Sequence, residues 1–237
     1  MEEEMNTKEK MTSDEMKDLK KKIIIRFSLF PLFISLLVLL PAGTFKFWPV
    51  YVYFLILSIP MIYTILYFIK NNPEFLKRRI KAKEKEREQK VVVLLSSLVF
   101  FIGFMLPGFD HRFGWSNVPI YLIVISDLLV LFGYIIVISV FKENSYASRI
   151  VEVSKNQTVI STGTYSLVRH PMYLGISIMF LATPLALGSY WGLIPFIAIP
   201  ILLIPRILNE EKVLSEQLPG YKEYCRKVKY RMIPFIW

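Results

Sequence analysis

The residues best suited to chemistry begin with a cation and an imidazole placed directly before a proline, in Arg169-His170-Pro171. Proline cannot donate a backbone hydrogen bond and is favoured in the first turn of a helix, so Pro171 predicts a helix start. Arg169 and His170 then lie at the mouth of that helix, where exposed N–H groups and a cation attract an anion or a carboxylate. A basic anchor flanking a membrane span would use the same residues.

An acidic pair follows further along the chain, in Arg206-Ile-Leu-Asn-Glu210-Glu211. Arg206 and Glu210 are four residues apart and share one face of a helix, and Glu211 lies one step round. Two carboxylates at a helix end could hold an ammonium or a sulfonium group by charge. The alternative is a solvated ion pair, worth only about 0.3–0.5 kcal/mol.

A third segment is aromatic and runs Leu218-Pro-Gly-Tyr221-Lys-Glu-Tyr224-Cys225. Tyr221 and Tyr224 are about one helical turn apart. They could flank a nucleobase or pack on a membrane surface. Cys225 is followed by an arginine, which could lower the pKa of its thiol. No base is paired with that thiol, so the sequence does not favour a nucleophilic role.

The composition indicates what kind of fold must hold these segments. Hydrophobic residues make up 54% of the 237, charged residues 20%, and the mean hydropathy is +0.45. Soluble domains carry about 25% charged residues, and here the apolar residues are bunched into runs close to the ~20 residues that cross a bilayer. We therefore expect an all-α integral membrane protein, and exclude a disordered chain, a collagen, a disulfide scaffold and an ordinary soluble enzyme.

Six apolar runs predict about six transmembrane helices. They are Ile23 to Leu40, Trp48 to Ile69, Val91 to Leu106, Val118 to Phe141, Met172 to Leu187 and Leu193 to Leu208. Residues 1–22 are charged and predict a cytoplasmic tail or a short surface helix. A cleaved signal peptide is the rival interpretation of the first run, but a long and partly acidic leader argues against it. The last two runs, separated by Gly188 to Gly192, predict an antiparallel hairpin.

The distribution of positive charge predicts the orientation. With six spans and a cytoplasmic N-terminus, 27 of the 29 Lys and Arg residues fall on the inner side, and only Lys46 and Arg112 fall outside. The positive-inside rule then puts both termini in the cytoplasm. Trp48, Trp115 and Trp191 fall at the outer ends of spans, as an aromatic belt requires. Because the net charge of +10 lies in the loops, it does not indicate nucleic acid.

The organisation that follows has three parts. Residues 1–22 form the charged tail, and residues 23–141 hold four transmembrane helices with a basic cytoplasmic loop at 70–90. Residues 142–237 are the candidate catalytic region, which includes the terminal hairpin and a small cytoplasmic C-terminal lobe built from 142–171 and 206–237. No metal is expected, because the two histidines, His111 and His170, lack further ligands at suitable spacing.

The three segments together resemble the isoprenylcysteine carboxyl methyltransferase family, whose wider relatives include phospholipid N-methyltransferases. The resemblance rests on Arg169 to Gly175, on the downstream Glu-Glu and on Gly-Tyr-x-x-Tyr, and extends through Asn72-Pro-Glu74, Asp110 to Trp115, Asn144 to Ser148 and Gln157 to Thr162. It covers most of the chain from about residue 70. Thr164 departs from it, because the family usually has proline there.

This resemblance implies S-adenosylmethionine bound in the cytoplasmic lobe and a lipophilic methyl acceptor that enters from the bilayer. It implies catalytic roles for Arg206, which would orient a carboxylate acceptor, and Glu211. The cofactor-binding residues that it implies are Gln157, Tyr165, Val168, Arg169, His170, Tyr173, Leu174, Glu210 and Tyr221. The acceptor that it favours is an isoprenylcysteine-like carboxylate.

Other functions stay open at this point. A phospholipid or other lipid N-methyltransferase would need the same cofactor. A membrane reductase using NADPH, similar in its C-terminal helices to the steroid reductases, would also place basic and aromatic residues here. A transporter or membrane scaffold is the non-enzyme alternative, for which Asp127 is the one mid-membrane ionisable residue. A soluble Rossmann-type methyltransferase is excluded, because no G-x-G-x-x-G follows a strand.

Overall fold

The computed structural model describes residues 12–81, 87–147, 153 and 157–237, and all regular elements within them are helical. The predicted regions 1–22, 70–90 and 142–171 therefore lie partly outside the described residues. The helices are α1 (Ser13–Ala42), α2 (Trp48–Asn71), α3 (Pro73–Lys81), α4 (Arg87–Phe113), α5 (Ile120–Glu143), α6 (Pro171–Ala186), α7 (Leu193–Gln217) and α8 (Tyr221–Lys227), with a 3₁₀ turn at Gly163–Ser166.

Five of these helices are long and apolar enough to cross a membrane, namely α1, α2, α4 from Val93 onwards, α5 and α7. The predicted fifth run forms α6, a shorter apolar helix of 16 residues. Leucines such as Leu40, Leu55 and Leu128 project outwards with 59–70% of their surface exposed. Such an apolar exterior belongs in lipid rather than in water. The protein is an all-α integral membrane protein.

The first helix begins earlier than the first apolar run. Thr12 caps α1 by accepting a hydrogen bond from Glu15 N through its side chain, and the Glu15 carboxylate accepts one from Thr12 N. Such a capping box fixes the start of a helix. Leu19 and Ile23 are buried in a cluster with Phe68, Phe75 and Leu76 of α2 and α3. Residues 13–22 are thus the first part of α1, and they pack against α2 and α3.

Two glycines allow α5 and α6 to pack closely. A Cβ atom built on Gly133 would lie 2.6 Å from the Gly175 carbonyl oxygen, and one on Gly175 would lie 2.7 Å from that of Gly133. Neither approach is possible for a residue with a side chain. The C-terminal end of α5 and the N-terminal end of α6 are thereby held together, and the candidate site lies at that end of the bundle.

A buried carboxylate fastens the opposite end of the bundle. Asp110, 1% exposed near the end of α4, accepts hydrogen bonds from Ser116 N and Ser116 Oγ, both at 2.6 Å, and one from Ser189 Oγ. Ser189 lies in the turn between α6 and α7, so one side chain fixes both turns. Trp115 and Trp191 meet edge to face at this end, with ring centroids 6.3 Å apart.

Candidate functional site

A pocket opens where the ends of α5, α6 and α7 meet the C-terminal lobe. Eight residues selected from the sequence line it: Gln157, Tyr165, Arg169, His170, Tyr173, Arg206, Glu210 and Tyr221. Asn144, Tyr146, Leu214 and Tyr224 are among its other lining residues. The Arg-His-Pro segment, Glu210 of the acidic pair and the tyrosine segment therefore converge on one cavity, although Arg169 and Tyr224 are 55 residues apart in sequence.

The Arg-His-Pro segment is positioned by its backbone. Arg169 N donates to the Tyr230 carbonyl at 2.9 Å, and His170 N donates to the Arg231 carbonyl at 2.7 Å. Pro171 then begins α6, as its missing N–H favours. The irregular C-terminal segment around Tyr230 and Arg231 therefore runs beside the motif. Only 5% of the surface of His170 is exposed.

Glu211 is enclosed by two guanidinium groups and an imidazole. Its Oε1 lies 3.1 Å from Arg169 Nη1 and 3.3 Å from His170 Nε2, and its Oε2 accepts from Arg231 Nε at 2.9 Å. The residue is 8% exposed, and a buried carboxylate needs such partners to remain ionised. Glu211 joins α7, the Arg-His-Pro segment and the C-terminus, and it does not line the pocket.

Glu210 faces the pocket through a different set of contacts. Its Oε2 accepts a hydrogen bond from Tyr173 Oη at 2.8 Å, and Arg206 Nε donates to the same hydroxyl oxygen at 3.0 Å. His170 Nδ1 lies 4.0 Å from Glu210 Oε2. A carboxylate, a guanidinium and two stacked rings, His170 and Tyr173 with centroids 5.7 Å apart, therefore form one wall.

Tyrosines form the opposite part of the pocket. Tyr165 Oη accepts from Asn144 Nδ2 at 2.9 Å, and Tyr224 Oη donates to the Tyr165 carbonyl at 2.7 Å. Burial raises the pKa of Tyr165, Tyr221 and Tyr224 above the ordinary value near 10. The three phenols are therefore protonated at neutral pH, and each has a hydrogen that it can donate.

Two buried polar atoms at the pocket are left without a protein partner. They are Tyr221 Oη and Arg169 Nε, which share this property with only Asp127 Oδ1 among the described residues. Burying a donor without an acceptor costs about 1–3 kcal/mol. Two such donors beside one cavity indicate that an acceptor-bearing ligand belongs there. A ligand with both acceptor groups and a cationic centre would use these donors together with Glu210.

Two selected residues pack beside the pocket instead of lining it. Val168 is 1% exposed, and Leu174 packs against the cluster of Tyr173, Ile207 and Met232. These two side chains pack behind the residues that line the pocket. Among the described residues, no group of three His, Cys, Asp or Glu side chains could hold a metal ion.

Three contributors were not selected from the sequence as site residues. Asn144 was noted only as part of the upstream resemblance, and Glu143 and Arg231 only fall within the ranges 142–171 and 206–237 of the predicted lobe. Glu143 Oε2 accepts from Thr164 N at 2.9 Å and from Thr164 Oγ1 at 2.7 Å. Proline at 164 would have neither donor, so the departure from the family pattern adds two hydrogen bonds. No periodic signal in the sequence marks these contacts.

The region of the chain that forms the pocket is similar to a known protein family. Residues 121–219 match a family model described as Phospholipid methyltransferase. That match covers less than half of the chain. It includes the whole of α6 and α7 and every selected site residue except Tyr221.

A sterol reductase is also similar to part of the chain. A Delta(14)-sterol reductase of Mus musculus is 32% identical over 93 residues, which are 37% of this chain and 22% of the reductase. The chain thus corresponds to about a fifth of the length of that relative. The two comparisons together support a membrane domain of the methyltransferase and reductase type, and leave the reaction undecided.

Proposed function

We propose that the protein is an integral membrane methyltransferase that binds S-adenosylmethionine in the pocket between α6, α7 and the C-terminal lobe. The observation that carries the proposal is the pocket itself, which is lined by the Glu210 carboxylate, by aromatic side chains, and by Arg169 and Tyr221, whose Nε and Oη atoms have no hydrogen-bond partner among the described residues. The match of residues 121–219 to the phospholipid methyltransferase family supports it.

The residues present suit the chemical groups of this cofactor. Its sulfonium and ammonium are cations, which Glu210 and the faces of Tyr173 and His170 would attract. Its carboxylate, hydroxyls and ring nitrogens accept hydrogen bonds, which Arg169 Nε and Tyr221 Oη would donate. The adenine ring would stack on a tyrosine face. The donor set and the charges are therefore complementary to the ligand.

When bound, the cofactor would supply an electrophilic methyl group on a sulfonium. Transfer to an ionised carboxylate needs no general base, so the chain has to align the reactants and exclude water. Alignment of this kind supplies about 7–11 kcal/mol in favourable cases. Tyr173 would hold the Glu210 carboxylate in place, and the Glu211 network would fix the backbone of Arg169 and His170 around the cavity.

The acceptor that we propose is an isoprenylcysteine-like carboxylate reaching the pocket from the bilayer. Arg206 is proposed to orient that carboxylate, since its guanidinium lines the pocket and donates to Tyr173 Oη. Arginine binds carboxylates through a planar fork of donors. We further propose that the pocket opens on the cytoplasmic face, because 27 of 29 Lys and Arg residues fall on that side of the predicted spans.

The decisive experiment measures ligand binding to the purified protein and product formation in parallel. Labelled S-adenosylmethionine should bind at equilibrium, and lipid extracts incubated with it should yield one methylated product. A methyl ester in that product would support the carboxylate acceptor, and a methylated amine would establish the lipid N-methyltransferase instead. Failure to bind the cofactor would contradict the proposal.

A membrane reductase is the second candidate, favoured by the 32% identity to the sterol reductase over 93 residues. A nicotinamide dinucleotide would bring phosphates to Arg169 and Arg206 and a nucleobase to the tyrosines. The two candidates predict different ligands: a reductase pocket should bind labelled NADPH and not S-adenosylmethionine, and a methyltransferase pocket should bind labelled S-adenosylmethionine that excess NADPH does not displace.

A further inference from the structure

A second and larger cavity lies on the side of the bundle formed by α1, α2, α3 and α5. Its volume is about 1040 Å³, at the upper end of the ~300–1,000 Å³ of ordinary small-molecule clefts. Among the described residues, none lines both this cavity and the candidate site. Its wall is mainly apolar, with Phe27, Leu29, Phe30, Leu32, Phe33 and Leu36 of α1 on one side.

The apolar wall faces outwards from the bundle. Leu29 is 57% exposed, Phe30 49% and Leu32 56%. Thr64, at the base, already donates its hydroxyl to the Pro60 carbonyl at 2.7 Å. Because α1 is long and apolar enough to cross a membrane, the groove opens towards lipid. Acyl chains are the apolar material available there to fill it.

Two arginines give the groove its chemical selectivity. Arg26 and Arg79 are the charged side chains among the described residues that line it. Arg26 interrupts the apolar run of α1, and Arg79 lies on the basic helix α3, which follows the end of α2. Basic pockets between membrane helices recognise anionic lipid head groups. Arg26 and Arg79 therefore supply positive charge in a groove whose other described lining residues are uncharged.

Arg79 also connects this groove to the candidate site. Its guanidinium stacks over Phe141, 4.3 Å from the ring centroid, and its Nη1 donates to the Ala147 carbonyl at 3.0 Å. Phe141 lines the groove and Ala147 lines the pocket. A ligand held at Arg79 would therefore contact a side chain that also bonds to Ala147 at the pocket.

We propose that the groove is a binding site for one anionic phospholipid, with its acyl chains along α1 and its phosphate at Arg26 and Arg79. The proposal does not depend on the reaction at the other pocket. The two arginines favour an anionic lipid over a zwitterionic one. Because no described residue lines both cavities, this lipid is distinct from the methyl acceptor.

Native mass spectrometry of the purified full-length protein tests the proposal, with equimolar phosphatidylglycerol and phosphatidylcholine added. The parent protein should retain one phosphatidylglycerol in preference to phosphatidylcholine. Arg26→Gln should weaken phosphatidylglycerol retention about fivefold, as expected for one basic residue at a lipid surface, and should leave phosphatidylcholine unchanged. Lys21→Gln is the matched control, because it removes an exposed positive charge of the same helix outside the groove.

Leu29→Trp adds bulk to the exposed groove wall and should reduce retention without removing charge, which separates groove binding from general attraction. Equal retention of both lipids by the parent, or equal effects of Arg26→Gln and Lys21→Gln, would overturn the proposal. Displacement of phosphatidylglycerol by a prenylated cysteine would also overturn it, because the groove would then belong to the acceptor.

Discussion

Glu210 and Glu211 are consecutive in α7, yet their carboxylates have separate partners. Glu210 accepts a hydrogen bond from Tyr173 and lines the pocket, whereas Glu211 contacts Arg169, His170 and Arg231. Adjacent helical residues point about 100° apart, so one carboxylate can face a ligand while its neighbour is enclosed by protein. The pair therefore combines a ligand-facing group and a structural anchor.

The Glu210→Gln substitution tests the ligand-facing role. It should weaken the binding of S-adenosylmethionine by about 1.5–3 kcal/mol, the range for a charged hydrogen bond, since the amide keeps the shape and loses the charge. Calorimetry on the purified protein measures this. The unfolding midpoint should change little, and unchanged cofactor affinity would leave Glu210 as a solvated helix end.

Glu211→Gln should act mainly on stability. The substitution removes the charge that Arg169, His170 and Arg231 share, and an unpaired buried group costs about 1–3 kcal/mol or more. The expected result is a lower thermal unfolding midpoint than that of Glu210→Gln in the same detergent. If Glu211→Gln melts like the parent but fails to bind cofactor, then Glu211 contacts the ligand and the anchoring role is wrong.

Tyr221 and Tyr224 form a matched pair for testing whether the pocket binds a ligand. Tyr221 Oη is buried without a protein partner, so Tyr221→Phe should leave stability unchanged or higher and weaken cofactor binding by about 0.5–1.5 kcal/mol. Tyr224 Oη donates to the Tyr165 carbonyl, so Tyr224→Phe should lower the unfolding midpoint. Parallel melting curves and binding isotherms separate the two. Unchanged binding by Tyr221→Phe would mean that its hydroxyl does not meet the cofactor.

The sequence was sufficient for the parts of the fold that depend on hydropathy and on proline. The apolar runs predict the long helices, and Pro171 correctly marks the start of α6. The run Val91 to Leu106 is too short to predict the real length of α4, because the helix continues through Pro107 to Phe113. Where a helix ends depends on capping and packing, and hydropathy alone does not predict either of them.

Contacts between segments that are far apart in the chain could not be predicted from the sequence. The Arg231–Glu211 ion pair joins an irregular C-terminal segment to a helix, and no period relates the two positions. Glu143 is at the end of an apolar helix, where a solvated charge is the ordinary expectation, yet it accepts two hydrogen bonds from Thr164. The residues around the pocket were recognisable by type, but their division into ligand-facing and anchoring groups required the structure.

The predicted orientation can be tested with single cysteines in a Cys225→Ser background. Glu74→Cys lies on α3, at the same end as the candidate site, and Phe45→Cys lies between α1 and α2, 76% exposed at the other end. The positive-inside rule predicts that an impermeant maleimide applied from the cytoplasmic side labels only Glu74→Cys. Applied from outside, it should label only Phe45→Cys. The reverse pattern would move the pocket to the outer face and contradict access to a cytosolic cofactor.

Arg206→Lys tests how the acceptor is oriented. Lysine keeps the positive charge but loses the planar fork of donors that suits a carboxylate. The loss of one charged hydrogen bond, about 1.5–3 kcal/mol, should lower kcat/KM for a carboxylate acceptor roughly tenfold to a hundredfold. The dissociation constant of the cofactor should rise less, because Arg206 reaches Glu210 only through the Tyr173 hydroxyl. Tyr173→Phe is the control, since it breaks that relay and leaves the guanidinium. Equal losses in both measurements for Arg206→Lys and Tyr173→Phe would show that Arg206 supports the cofactor wall and does not orient the acceptor.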